Sequence, residues 1–240
     1  MKQKKINVAI VGGGIVGSLL ALILGLNGFR VSIIDQQKKE KFFSNFHNVK
    51  SYALNEGSCR LLGVLELWDI VKQRSQPITK ISLQQGSSIS SIQPFELEFT
   101  ADVKTNNYIF NMVEEIYLKK VIKEKIDECS NIEYLYSSKV IEQNIDNFSI
   151  KLVLDNGQII NSDLVVGSDG YPSSSAKEAK IKHFNYEYNQ SSIVGVFKHE
   201  FPHESEAVQI FLPSGPLAIL PLSGNRSSFV WTMENNDANR

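Results

Sequence analysis

Along the chain, short unbroken apolar runs alternate with longer stretches in which apolar positions recur every three to four residues. Residues 6–11 form a run rich in β-branched side chains, the pattern of a strand buried on both faces of a parallel sheet. Residues 15–27 have the length of an ordinary helix, Gly28 stands where a helix-ending glycine belongs, and 30–34 read as a second strand. A polar loop is expected over 36–48. Helices follow at 56–64 and 65–72, through the stripe Leu61, Leu62, Leu65, Ile70 and Val71, and Pro77 closes that region. Strands are expected at 78–83 and 95–99, on either side of a turn over 86–91. Val113, Ile116, Tyr117, Val121, Ile122 and Ile126 make 113–129 an amphipathic helix. Short strands at 132–136, 139–146 and 148–154 lead to the hairpin signal Asp155-Asn156-Gly157, then to a second buried run at 164–167. From residue 193 the pattern changes to alternating strands that contain aromatics, at 193–199, 206–212, 217–221 and 227–232. That shift predicts a mostly antiparallel sheet separate from the first region.

The basic start MKQKK and the apolar run behind it fit three readings: an export signal, a membrane span or a nucleotide-binding turn. Gly12, Gly13 and Gly14 interrupt the run, and each glycine costs a helix about 1 kcal/mol relative to alanine. No small-residue cleavage site follows, and a second strand does. The turn reading accounts for every part. In Gly12-x-Gly14-x-x-Gly17, the first glycine makes the tight turn and the second lets the backbone approach a pyrophosphate. The third lets the helix pack close to the strand, and Ile15 and Val16 open the helix at its phosphate-facing end. Asp35, 18 residues beyond Gly17, is placed to hydrogen-bond a ribose hydroxyl. A lone glycine fingerprint also occurs in turns that hold no ligand. Here strand, helix, second strand and terminal acid stand in order.

The bulk numbers narrow the classes. With 240 residues, 42% of them hydrophobic, the chain can bury a core in one or two domains. A net charge of −1 gives no electrostatic footprint for nucleic acid. Cys59 and Cys129 are too few for a disulfide framework or a zinc site, and they suit small buried positions in a reducing compartment. His47, His183, His199 and His203 lack ligand spacing and read as surface or structural residues. No metal site and no Ser-His-Asp set is expected.

Three separated stretches carry a family resemblance. They are the βαβ unit over 6–35, the run Asp163-Leu-Val-Val-Gly-Ser-Asp169-Gly170 followed by 173–177, and Gln209-Ile-Phe211-Leu-Pro213-Ser-Gly215-Pro216-Leu-Ala-Ile-Leu-Pro221-Leu222. In this order and spacing the chain resembles the FAD-dependent aromatic hydroxylases, specifically the ubiquinone-biosynthesis branch. Weaker echoes lie at Tyr52-Ala-Leu-Asn55, 61–69 and Phe201-Pro-His203-Glu. The resemblance covers nearly the whole chain. It implies an α/β fold in which a Rossmann-like FAD-binding domain (1–77 and 106–180) is interleaved with a mainly antiparallel β substrate domain (78–105 and 181–240) that is C-terminally incomplete.

The resemblance also implies FAD in an extended pose, NAD(P)H as reductant, and hydroxylation of the aromatic ring of a polyprenylated phenol by O2 through a flavin C4a-hydroperoxide. The flavin would carry the chemistry while the protein positions the ring and excludes water, so no catalytic side chain is nominated. Residue by residue, Gly12, Gly14, Ile15, Val16 and Gly17 fall at the pyrophosphate and Asp35 at the adenosine ribose. Lys50 and Val140 fall beside the cofactor. Asp169 and Gly170 match a motif shared between FAD and NAD(P)H binding, though alone they are an ordinary turn. Phe211, Pro213, Gly215, Pro216 and Pro221 match a stretch near the aromatic pocket, and any one of them alone is equally a core or turn residue. A long-tailed substrate implies a cytoplasmic protein that meets the inner face of a membrane peripherally. Other ubiquinone-biosynthesis proteins, or a separate C-terminal chain, are partners the family allows. The rivals are a hydroxylase of a small soluble phenol, and an impaired fragment or half of a split flavoprotein.

The sequence departs from the family in three places. Lys50 stands where an arginine near the flavin is common, and Lys177 replaces the arginine usual after the Asp-Gly motif; lysine keeps the charge but loses the bidentate fork. The family's third cofactor motif, a Gly-Asp segment, does not occur before Arg240. On this reading the 240 residues correspond to the N-terminal part of a hydroxylase, expected to bind FAD weakly and turn over little alone.

Overall fold

A computed structural model describes residues 6–39, 50–88, 91, 97–102, 107–146 and 149–238. His47, most of the loop expected over 36–48, part of the turn at 86–91 and the first residues of the strands expected from Phe95 and Phe148 lie outside the described residues. In chain order the first elements are β1 (Asn7–Val11), α1 (Ile15–Leu26), β2 (Arg30–Ile34), β3 (Ser51–Leu54), α2 (Glu56–Val64), α3 (Trp68–Lys72), β4 (Gln76–Ile78), β5 (Lys80–Gln85) and β6 (Leu97–Thr100). Next come β7 (Phe110–Glu114), α4 (Glu115–Asp127), β8 (Ile132–Leu135), β9 (Val140–Ile145), β10 (Ile150–Leu154), β11 (Ile159–Ser162), β12 (Leu164–Gly167) and α5 (Ser174–Glu178). The chain closes with β13 (Gln190–Lys198), β14 (Glu206–Leu212), β15 (Gly215–Leu222), β16 (Arg226–Glu234) and α6 (Asn235–Ala238).

These elements divide into two compact units, one of Met1–Phe46 with Leu118–Phe184, the other of His47–Tyr117 with Asn185–Arg240. The first contains a parallel sheet in the order β12-β1-β2-β8. Ala9 and Ile34 pack against Leu152 and Leu154 of the antiparallel sheet β11-β10-β9. Val8, Ile10 and Ile33, which alternate with them along the same strands, are buried as well. Both faces are therefore covered, which explains why β1 shows no polar alternation. Helix α1 buries Gly17, Ser18, Ala21, Leu22 and Gly25, a stripe of mostly small residues at helical spacing. A Cβ on Gly25 would stand 2.5 Å from Ile132 Cδ1, so the helix lies close against β8. Asn27 caps α1 one residue before the expected end. Gly28 then adopts φ +85° while its N–H reaches Gly25 O at 2.9 Å.

The second unit holds a six-stranded sheet in the order β13-β16-β15-β14-β5-β6, antiparallel apart from the β14–β5 pair. The order β3-β7-β4 makes a smaller sheet. Segments 47–77 and 106–117, expected with the nucleotide-binding unit, group here instead. The reason is a shared core: Ile78 and Met112 of the small sheet pack with Ala207 and Leu222 of the large one. Compactness is a criterion separate from cofactor contact, so this grouping leaves the boundaries expected for the cofactor-binding domain as an expectation.

Other local expectations shift for identifiable reasons. The helix expected over 65–72 starts only at Trp68, because Glu66 turns into the left-handed region at φ +59° and Leu67 N–H folds back to Leu62 O at 2.8 Å. The helix expected from 113 starts at Glu115, because Met112 and Val113, both fully buried, belong to β7. Strands β3, β4 and β11, of four, three and four residues, are too short to show a period.

Leu152 is fully buried between the two sheets of the first unit, whereas Val64 on α2 is 80% exposed. Leu152→Ala should lower the unfolding free energy by roughly 2–5 kcal/mol. Val64→Ala should change it by less than about 0.5 kcal/mol. Urea midpoints of the two variants measure the difference.

Candidate functional site

The site begins where β1 runs out. After Val11 the chain turns at Gly12, whose φ of +104° only glycine adopts easily, and the Gly12 N–H donates to Ile34 O at 2.8 Å. A Cβ here would lie 2.3 Å from Ser168 O, so the turn is wedged against the loop that leaves β12. A Cβ on Gly17 would lie 2.0 Å from Gly12 O, so the helix could not approach the turn with any larger residue. Gly14 differs from both. It is the exposed N-cap of α1, and a Cβ there would meet no protein atom within 4 Å. No side chain caps this helix end and its first turn contains no acid. The first-turn N–H groups have no acceptor within the helix, and with the helix dipole they favour an anion. Val16 beside them is 73% exposed.

Asp35, at the end of β2, is already engaged. Its Oδ2 accepts the Gly13 N–H at 2.6 Å and its Oδ1 accepts the Gln37 N–H at 2.6 Å. An ionised carboxylate has about four acceptor positions, so it retains capacity for a ribose hydroxyl. Asp169, in the loop after β12, is engaged too: it accepts from Ser173 Oγ at 2.7 Å, Ser174 Oγ at 2.8 Å and Ser175 N–H at 2.9 Å. Burial works against its charge, but these three donors together outweigh burial and hold the carboxyl at about 2.

Gly12, Asp35, Val140 and Asp169 line one cleft of about 290 Å³, together with Ser138 and Lys139. It opens at the C-terminal ends of β1 and β2, where ligands of open parallel sheets bind. A larger cavity of about 640 Å³ lies at the opposite ends of the same strands, against Asn7, Arg30 and Asn131. The glycine turn borders the smaller cleft, on the side where α1 begins. Gly14, Ile15, Val16 and Gly17 follow on the same turn, and Gly170, at φ +75°, follows Asp169.

The remaining expected residues belong to the second unit. Lys50 is exposed ahead of β3, and its carbonyl accepts the Glu115 N–H at 2.9 Å. The five residues expected near an aromatic pocket do not share one face. Phe211, 52% exposed, pairs with Pro216 across β14 and β15, whereas buried Pro221 pairs with Ser227 and faces the other way. Pro213 lies in the turn between the strands. Gly215 is required at φ +124°, where a Cβ would stand 2.0 Å from Thr232 O. His199 and His203 are structural: His199 Nδ1 bonds Phe201 O at 2.6 Å, and His203 Nε2 bonds Leu222 O at 2.9 Å.

The sequence assigned no role to Gly13, which sits inside the fingerprint without belonging to it, or to Ser173–Ser175, which the second motif spans; in the fold these serines donate to Asp169 and Ser174 lines the cleft. The third consecutive glycine was the available signal for the first.

Comparison with known proteins agrees with this geometry. The family described as FAD binding domain matches residues 5–240. The chain is 34% identical over 230 residues to the ubiquinone hydroxylase UbiL of Rhodospirillum rubrum, covering 96% of this chain and 52% of that protein. It is 28% identical over 233 residues to the 3-demethoxyubiquinol 3-hydroxylase of Escherichia coli, covering 96% and 58%. The chain therefore spans about half the length of the curated relatives it matches. Among solved structures, PqsL of P. aeruginosa in complex with 2-aminobenzoylacetate superposes with a TM-score of 0.84 at 21% identity, over 98% of this chain and 63% of that one; this likeness concerns the fold. The residues fit an FAD. The uncapped helix end and the open space at Gly14 suit a pyrophosphate, and Asp35 suits a ribose.

Two of the motif glycines should separate on substitution. Gly17→Ala should lose roughly 1–3 kcal/mol of stability through overpacking. Gly14→Ala should stay within about 1 kcal/mol of the parent but weaken FAD binding about tenfold or more, because its Cβ would enter the ligand's space. Thermal melts and FAD titrations of both variants test this. A second expectation concerns acid. A carboxyl held below its ordinary value stabilises the fold at pH above about 4, and that contribution fades as pH falls towards 2. Asp169→Asn should be less stable than the parent at pH 7, and the gap should close by about pH 2, read from urea midpoints across that range.

Proposed function

Because the chain belongs to the FAD binding domain family, we propose that it carries the cofactor cradle and the substrate-side sheet of a flavin-dependent monooxygenase. The reaction is hydroxylation of the aromatic ring of a polyprenylated phenol on the route to ubiquinone, with NAD(P)H as reductant and O2 as oxidant. One observation carries the reading: Gly12, Asp35, Val140 and Asp169, three of them drawn from two separated sequence motifs, line a single cleft beside an uncapped helix N-terminus. The named functions of the relatives, both hydroxylases of the ubiquinone pathway, supply the substrate class.

Bound FAD supplies the redox chemistry and oxygen activation. The task of this chain is to hold it. The turn and first-turn amides receive the pyrophosphate, Asp35 the adenosine ribose, and the Asp169–Gly170 loop closes the cleft from the β12 side. The antiparallel sheet of the second unit supplies apolar surface for the phenol, with Phe211 and Pro216 on one face. No helix among the described residues is long and apolar enough to cross a membrane. A substrate with an isoprenoid tail then calls for a peripheral encounter with the cytoplasmic face of the bilayer.

FAD titration of the chain, followed by flavin fluorescence, should show saturable one-site binding, with riboflavin a poor competitor because the cleft recognises the adenosine diphosphate half. A folded chain that binds no FAD would falsify the cofactor reading, and equal affinity for riboflavin would remove the cleft from it. With the whole protein, NADPH oxidation should depend on a prenylated phenol and incorporate one oxygen atom from O2. A preference for a tail-less phenol would overturn the substrate class.

A further inference from the structure

Gly13 lies between two motif glycines, and its backbone is gripped through both its N–H and its carbonyl. Its N–H donates to Asp35 Oδ2 at 2.6 Å. Its carbonyl accepts the Tyr134 hydroxyl at 2.9 Å and the Ser18 hydroxyl at 3.0 Å. A Cβ on Gly13 would stand 1.8 Å from Tyr134 Oη and 2.5 Å from its Cζ, so the phenol occupies the space a side chain would need. Gly13 is glycine for Tyr134, not for the ligand.

Tyr134 is itself held. It lies on β8, where it pairs with Ile33, and its ring stacks on that of Tyr136 with centroids 4.1 Å apart and planes 18° from parallel. The buried ammonium of Lys123 on α4 sits 5.9 Å from both ring centroids and pairs with Asp127. Burial, with Asp35 and Tyr136 nearby, raises the Tyr134 phenol well above its ordinary value, so the hydroxyl keeps its proton.

We propose that Tyr134 is a positioning residue for the cofactor. It fixes the Gly13 peptide so that Gly14 and the start of α1 face the pyrophosphate before FAD arrives. The inference rests on the FAD reading of this cleft. The physical argument is entropic: a run of three glycines has more backbone freedom than any other tripeptide, and a ligand that had to order it would bind more weakly by that amount. A hydroxyl delivered from a packed strand removes the freedom in advance. The same grip orients Asp35, because the carboxylate that meets the ribose is held by the N–H of the residue whose carbonyl Tyr134 holds.

The test compares Tyr134→Phe with Tyr117→Phe, which removes an equivalent hydroxyl-to-carbonyl bond elsewhere, from Tyr117 to Ile70 O at 2.9 Å. Two readouts are needed: hydrogen exchange of amides 12–17 without FAD, and FAD affinity. Loss of one such bond should speed exchange in the turn about tenfold and weaken FAD binding about fivefold in Tyr134→Phe. Tyr117→Phe should alter neither, even where its melting temperature falls as far. Ser18→Ala, which removes the other donor to the same carbonyl, should move both readouts in the same direction. Unchanged turn exchange and unchanged FAD affinity in Tyr134→Phe would overturn the proposal. If the parent binds no FAD while exchange in Tyr134→Phe still rises, the cofactor reading fails, and Tyr134 stands only as the clamp of an empty turn.

Discussion

Everything at the candidate site depends on how closely three backbone segments approach one another. The turn at Gly12 presses on Ser168 of the loop after β12, and α1 presses on the turn through Gly17. These contacts leave no room for a β-carbon, so the positions of turn, helix and loop are fixed together and not one at a time. The parallel register reinforces this, since Val11 pairs with both Ile34 and Gly167 and the three strands end at one level. A cleft at that level is a consequence of the sheet.

The polar groups around the cleft serve the same geometry. Asp35 and Asp169 read from sequence as ligand contacts, and in the fold each first satisfies backbone and hydroxyl donors of its own surroundings. The two roles are compatible, because a carboxylate tied down by two or three donors presents its remaining lone pairs in a fixed direction. An untethered acid at the same place would have to be ordered by the ligand, with a loss of affinity.

How much of this was legible follows from the range of the interactions. The βαβ unit, its three motif glycines and the terminal acid are a local pattern, and the structure places them as expected to within a residue. The start of α4 was misplaced because Val113 is apolar in both readings, and only pairing with Tyr52 of β3 makes it a strand residue. The grouping of 106–117 with the antiparallel sheet was hidden for the same reason: Met112 packs with Ala207, far away in sequence. Phe211 and Pro221 lie close together in one motif, but strand alternation sends them to opposite faces. Tyr134 is the clearest case. A lone tyrosine on a short strand carries no signal until the fold brings it against Gly13.

The direction of the resolved proton affinities fits the proposed division of labour. A site that works by general acid–base chemistry draws carboxyls up or phenols down towards neutrality. Here Asp169 is pushed down to about 2, and burial pushes the Tyr52 phenol up to about 12, with Glu115 adding to it. Tyr136 rises to about 12 for the same first reason. The charged side chains of the second unit are likewise directed at one another: Arg226 grips Glu114 with two bonds of 3.0 and 2.9 Å, and Lys80 spans Glu98 and Glu206. Such pairs hold shape. A protein built this way contributes orientation, and that suits a reaction in which a bound flavin supplies the electrons and the oxygen chemistry.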